Sequence, residues 1–223
     1  MSRIGRLNLA MRQPEDVIPH LGKPTHWKEG RSAKSLADAW FAANDVPADV
    51  RAVLDKADEY RGATLIDAFL ERCTDLQDGR GTPSQTDLLA ILATDSGLSV
   101  MGVEAKVIES FGPIVEEWLD GASGKEQRLQ RLCAQLDLDR AAALRLRYQL
   151  LHRTVAAMLE ARRYRTSQAL MLVQSFCPER TGFADFAAFV EALGFGAIEP
   201  DRLSPSRELS DLNVRLGWVA SAK

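Results

Sequence analysis

Three residues in this 223-residue chain have types and spacing that can do chemistry: Asp87, Glu104 and Lys106. They lie in and beside the window TDLLAILATDSGLSVMGVEAKV, where two β-compatible runs flank a hairpin-like turn at Thr94–Gly97. With Ala93 opposite Leu98, a four-residue turn or a two-residue loop at Asp95-Ser96 gives one register. That register puts Asp87 directly across from Glu104. Directly opposed residues carry their Cβ atoms about 4.5–5.5 Å apart on one face. Lys106 follows Glu104 by two residues and shares its face. Leu89, Ile91, Leu98 and Val100 fall on the same face, so burial is expected there. A three-residue turn would slip the register by one and undo the alignment.

Two carboxylates held that close are costly unless a cation lies between them or one of them takes up a proton. The usual partner for hard oxygen ligands is a divalent cation, Mg²⁺ above all, with Mn²⁺ as the common alternative. A neighbouring lysine can orient a water or stabilise charge that develops on a phosphoryl group. Metal-assisted phosphodiester hydrolysis needs this set of parts. The competing reading is a solvated hairpin end, with Asp87 as a turn acid. The apolar residues flanking the trio weigh against it, because strands this apolar usually lie within a covered sheet.

Asp87 in SQTDLL and Glu104-Ala105-Lys106 in VMGVEAKV, on a strand–turn–strand unit, resemble the PD-(D/E)xK nuclease superfamily, the restriction-endonuclease-like fold. The resemblance covers residues 63–176. It implies that Asp87 and Glu104 ligate Mg²⁺ or Mn²⁺ with help from the Ala105 carbonyl, and that Lys106 is catalytic. Many members carry a glutamate on the first core helix, for which Glu71 is the nearest match. Some carry a glutamine beside a tyrosine on the later helix, as Tyr148-Gln149 here. The residue before Asp87 is Thr86, where the family pattern has proline. The implied substrate is nucleic acid, and the implied assembly a homodimer. The whole sequence also resembles an uncharacterised bacterial family of about this length.

The elements that must position these residues follow from periodicity. Helices are expected over 32–43, with Ser32 as N-cap, and over 48–60, 63–76, 113–119, 125–136, 139–164 and 183–193. Within the third, Leu65, Ile66, Phe69, Leu70, Cys73 and Leu76 form one stripe, with Glu71 on the polar side. Strands are expected in the hairpin, at 168–176 and at 213–219, with a short one at 4–9. This order predicts a mixed α/β (α+β) protein that is helix-rich overall. A small mixed β-sheet with an antiparallel hairpin, flanked by helices, forms the restriction-endonuclease-like core. The expected division is an N-terminal helical arm (1–62), the core (63–193) and a C-terminal tail with a short strand (194–223).

The helix expected over 139–164 is locally basic. It carries Arg140, Arg145, Arg147, Arg153, Arg162 and Arg163, with Arg165 just beyond. Arg145, Gln149 and Arg153 are therefore candidates for backbone phosphate contact; a solvated face balancing acidic neighbours is the alternative. His152 falls on the apolar stripe, where a hydrogen-bonded core histidine is expected. The segment His26-Trp27-Lys28-Glu29-Gly30-Arg31-Ser32 reads either as a base-stacking arm or as an anchor for the N-terminal region.

Composition narrows the rest. Hydrophobic residues make up 46% and charged residues 26%, enough for a sizeable core. Net charge is -3, so contact with a polyanion must be local. The longest apolar run, Leu88–Ala93, is six residues, against about 20 for a membrane span. The N-terminus lacks an apolar signal region. Cys73, Cys133 and Cys177 have no paired metal-ligand spacing. A cytoplasmic protein with reduced thiols and no membrane association is expected. A non-catalytic interaction or regulatory protein on the same scaffold, with a partner the residues do not identify, is the second functional reading.

Overall fold

A computed structural model describes residues 10–22, 24–77 and 81–222. The strand expected over 4–9 lies outside the described residues. Strands β1 (Thr64–Thr74), β2 (Ser84–Thr94) and β3 (Gly97–Lys106) form an antiparallel meander. After β3 the chain makes α3 (Val115–Trp118), α4 (Ser123–Leu136), α5 (Arg140–Ala143) and α6 (Tyr148–Arg163). It then returns as β4 (Gln168–Ser175), parallel to β3. Helix α7 (Phe183–Ala192) leads to β5 (Arg202–Leu203), β6 (Arg207–Leu209) and β7 (Leu212–Ala220). Strand β7 lies parallel to β4, and the sheet order is β1-β2-β3-β4-β7-β5, with β6 also on β7.

The alternation of apolar residues along these strands builds two cores, one on each face. Leu89, Ile91, Val100, Met171, Val173, Leu216 and Trp218 pack beneath α4, α6 and α7. Leu88, Ala90, Leu92, Met101, Val103, Leu170 and Leu172 face the other way, toward α1 (Ser32–Ala43) and α2 (Ala48–Leu54). The result is a three-layer mixed α/β arrangement. At Gly102 the β3 backbone meets α6 closely: a Cβ there would lie 3.2 Å from the Ala157 Cβ.

Several expected elements differ. Residues 63–76 form the edge strand β1, not a helix. Their apolar spacing suits either state, but Thr64, Ile66, Phe69 and Thr74 favour a pleated surface, and pairing with β2 decides it. Glu71 therefore sits on a strand, with φ 53 in the left-handed region. The basic stretch 139–164 is not one helix: α5 ends at Ala143, and a turn at Leu144–Arg147 precedes α6. Helix α1 starts at Ser32, so the N-cap position falls on Arg31, whose side chain makes no capping bond. The sheet has seven strands, more than the small sheet expected. The C-terminal strand is an interior member of it, not a tail.

Candidate active site

The hairpin register matches the sequence reading. Thr94 pairs with Gly97 around Asp95-Ser96, and the ladder runs back to Leu88 opposite Val103. There the regular pairing stops. Beyond it the Asp87 carboxylate accepts the Ala105 N–H at 2.8 Å through Oδ2. A side chain thus replaces a ladder bond where the two strands part. In β1, Leu70 pairs with Leu88 and Arg72 with Thr86, which brackets Glu71 against Asp87. Gln85 Nε2 donates to Glu71 Oε2 at 2.7 Å.

Glu104 and Lys106 are buried, at 2% and 4% exposure. Lys106 Nζ lies 2.6 Å from Glu104 Oε1 and donates to Gln149 Oε1 at 3.0 Å. Gln149 Nε2 donates to the same Glu104 oxygen at 2.7 Å. The Lys106 ammonium also stands 5.0 Å from the centre of the Phe111 ring, a cation–π contact. Arg153 Nε reaches Glu104 Oε2 at 2.5 Å. Its NH1 donates to Ser84 Oγ at 2.9 Å, and Ser84 Oγ lies 2.9 Å from His152 Nδ1.

The charges are unevenly matched. Burial pushes the Glu104 carboxyl up, but Lys106 and Arg153 outweigh it and hold it well below the usual carboxylate range. Asp87 is pushed up to about 7, by burial first and then by the Glu104 charge, against the pull of Arg153 and Lys106. Glu71 rises to about 8, through burial and then the Asp87 charge. Burial, followed by the adjacent Arg153, presses the His152 imidazole down to about 3, so it stays neutral. Raised carboxyls beside a clamped one, gathered in one cluster, make it the candidate functional site.

Among the described residues, no three of His, Cys, Asp and Glu come together as a metal cage. Mg²⁺ keeps several waters and is commonly held by only one or two carboxylates plus substrate phosphate. Asp87 and Glu104 are hard oxygen donors of that kind: one Asp87 oxygen is left beyond the Ala105 bond, whereas both Glu104 oxygens are held by Lys106, Gln149 and Arg153, so a metal would have to displace one of these from Glu104. Ala105 meets the site through its N–H, while its side chain belongs to the core on the opposite face.

Of the residues singled out in the sequence, the structure brings Glu104, Lys106 and Gln149 into hydrogen-bonding contact, with Asp87 beside them on the Ala105 N–H. Arg153 is with them too, but its guanidinium is turned inward on Glu104 and Ser84. Arg145 stands exposed on the turn before α6. Other arginines of this stretch balance neighbours: Arg140 pairs with Glu126, Arg147 with Asp185, and Arg162 bonds Gln135. Tyr148 stacks on Trp118 with ring centres 3.8 Å apart, and His152 packs beside Tyr148. Trp27 lies against Lys34, 5.6 Å from its ammonium. The role of Ser84 had no sequence signal, since a serine at a strand start looks like any turn residue.

A cavity of about 750 Å³ is not centred on this cluster. It lies between β1 and α1, with Trp40, Phe41, Leu65 and Phe69 in its walls, and Asp45, Asp67 and Glu71 among its charges.

The model of one protein family, the domain of unknown function DUF6946, matches residues 10–223. The chain belongs to the DUF6946 family. No curated protein and no solved structure matches it. Among the described residues of this DUF6946 protein, no helix is long and apolar enough to cross a membrane.

Proposed function

We propose that this DUF6946 protein is a Mg²⁺- or Mn²⁺-dependent phosphodiester hydrolase, a cytoplasmic nuclease on a restriction-endonuclease-like core. The observation that carries the reading is the convergence of Glu104, Lys106 and Gln149 beside Asp87, at the end of the β2–β3 ladder. The topology supports it: the antiparallel β2–β3 hairpin within a mixed sheet, a crossover through α6 and a parallel β4 agree with the hairpin-bearing mixed sheet flanked by helices expected of that core. Glu71, on strand β1 and not on a helix, bonds Gln85 and stands opposite Asp87, where it would be an additional acid for the site.

When bound, the metal supplies Lewis acidity and lowers the pKa of a coordinated water. Asp87 and Glu104 would provide the oxygen ligands. Lys106, aimed by Glu104 and Gln149, stands ready to donate to a phosphoryl oxygen or to orient the attacking water. Gln149 fixes the ammonium's direction and touches Glu104 as well. Arg145, exposed before α6, is the arginine placed to meet a phosphate backbone. Net acidity means that nucleic acid is held by such local contacts, and a homodimer would double them.

The second reading, an interaction or regulatory protein on the same scaffold, draws on one observation. Glu104 is 2% exposed, with both oxygens already bonded to protein groups. The test is cleavage of labelled single-stranded DNA, duplex DNA and RNA with Mn²⁺ or Mg²⁺. Wild type should cleave at least one of them. Lys106→Met and Asp87→Ala should each lose 100-fold or more, by the order of magnitude of such single-group losses, with circular dichroism unchanged. Absence of metal-dependent cleavage by wild type on all three, or equal cleavage by the variants, turns the assignment to the interaction reading.

A further inference from the structure

Arg153 is the one arginine of α6 whose guanidinium is spent inside the acid cluster. It is 9% exposed. Its Nε holds Glu104 Oε2 at 2.5 Å, and its NH1 is tethered to Ser84 Oγ at 2.9 Å. Asp87 and Glu71 also lie within its electrostatic reach. Three acids, Glu71, Asp87 and Glu104, therefore share two cations, Lys106 and Arg153. A guanidinium does not lose its proton, so its charge cannot be switched off as a lysine's can. It must move away or stay.

A divalent cation held by Asp87 and Glu104 would meet that fixed charge on Glu104. One carboxylate oxygen cannot serve a buried guanidinium and a metal at full strength, and the two cations repel in a medium of low dielectric. We infer that Arg153 is a built-in competitor for the metal. It occupies Glu104 in the resting protein, and Mg²⁺ or Mn²⁺ enters only as Arg153 leaves that oxygen. Ser84, backed by His152, sets how firmly Arg153 is held, which makes it a positioning residue for the competitor. This rests on the hydrolase reading above, but concerns only metal loading.

The test is Mn²⁺ binding to the full chain by isothermal titration calorimetry at pH 8, where protons compete least. Arg153→Gln should bind Mn²⁺ about tenfold tighter or more, by removal of a nearby full charge. Arg153→Lys, which keeps the charge, should stay closer to wild type. Ser84→Ala, which keeps the guanidinium but cuts its tether, should fall between wild type and Arg153→Gln. If Arg153→Gln does not fold, the Ser84→Ala shift decides the matter. Wild-type binding with no tightening in these variants overturns the competitor and leaves the hydrolase reading intact. Binding by Arg153→Gln alone supports the competitor and shows the wild-type site held shut. No binding by any of them overturns both.

Discussion

At the residue scale, the candidate site carries a stability cost at neutral pH, and its sign can be worked out. Asp87 has its carboxyl raised from 3.8 to about 7 in the folded protein. Between those values the folded state binds more protons than the unfolded one. Stability from this residue therefore falls as pH rises through that window, and the loss is complete above it. Glu71, raised to about 8, adds a loss of the same sign at slightly higher pH. Asp87→Asn removes the charge, and its amide oxygen can still accept the Ala105 N–H. In chelator at pH 8 this variant should be more stable than wild type, on the order of 1–2 kcal/mol after solvent screening. At pH 4 the gain should vanish. Urea melts at the two pH values check it, and a destabilised variant at pH 8 would contradict the electrostatic picture.

At the element scale, the site depends on the crossing of α6 over β3. Gln149 and Arg153 come from the helix, while Glu104 and Lys106 come from the strand. Gly102 lets the two backbones approach, since an added Cβ would already press on Ala157. Gly102→Val should destabilise the fold by about 2–3 kcal/mol, the usual cost of overpacking. It should also lift α6 from the acids, which a urea melt and the Mn²⁺ affinity together would register. A second tie holds α6 to the edge strand: Arg72 and Thr74 of β1 both bond the buried Glu160. Strand β1 is thus anchored to the same helix as the site, which helps to place Glu71 near Asp87.

At the scale of the whole molecule, the C-terminal residues complete the sheet. Strand β7 pairs with β4 along its length and contributes Leu216 and Trp218 to the core under α6 and α7. Trp218 meets Phe183 and Phe186 there. On the other face, Trp40 of α1 donates to Gln174 of β4 at 3.0 Å, tying the N-terminal layer to the sheet centre. A chain ended after Leu193 would expose the β4 edge and empty part of both cores. It should show no cooperative thermal transition, and the same is expected of residues 63–193 alone. A sharp melt from either truncation would show that the core stands without its C-terminal strands.

Local sequence determined the hairpin and therefore the candidate site. The apolar alternation of β2 and β3 and the Asp95-Ser96 turn were enough to bring Asp87, Glu104 and Lys106 together, because register follows from turn length and a buried face. Gln149 was legible through the resemblance, as a glutamine beside Tyr148 on the later helix. Tertiary structure decided three other things. Residues 63–76 became a strand because β2 offered a partner, and a spacing of three and four residues cannot distinguish that outcome from a helix. Strand β7 entered the sheet interior because β4 had a free edge, which no window of sequence reveals. Arg153 turned inward because Glu104 lay beneath it with its second oxygen, Oε2, open to a donor while Lys106 and Gln149 hold the first. A helix's own sequence states which residues share a face, but the charge that waits opposite that face comes from a strand about fifty residues away.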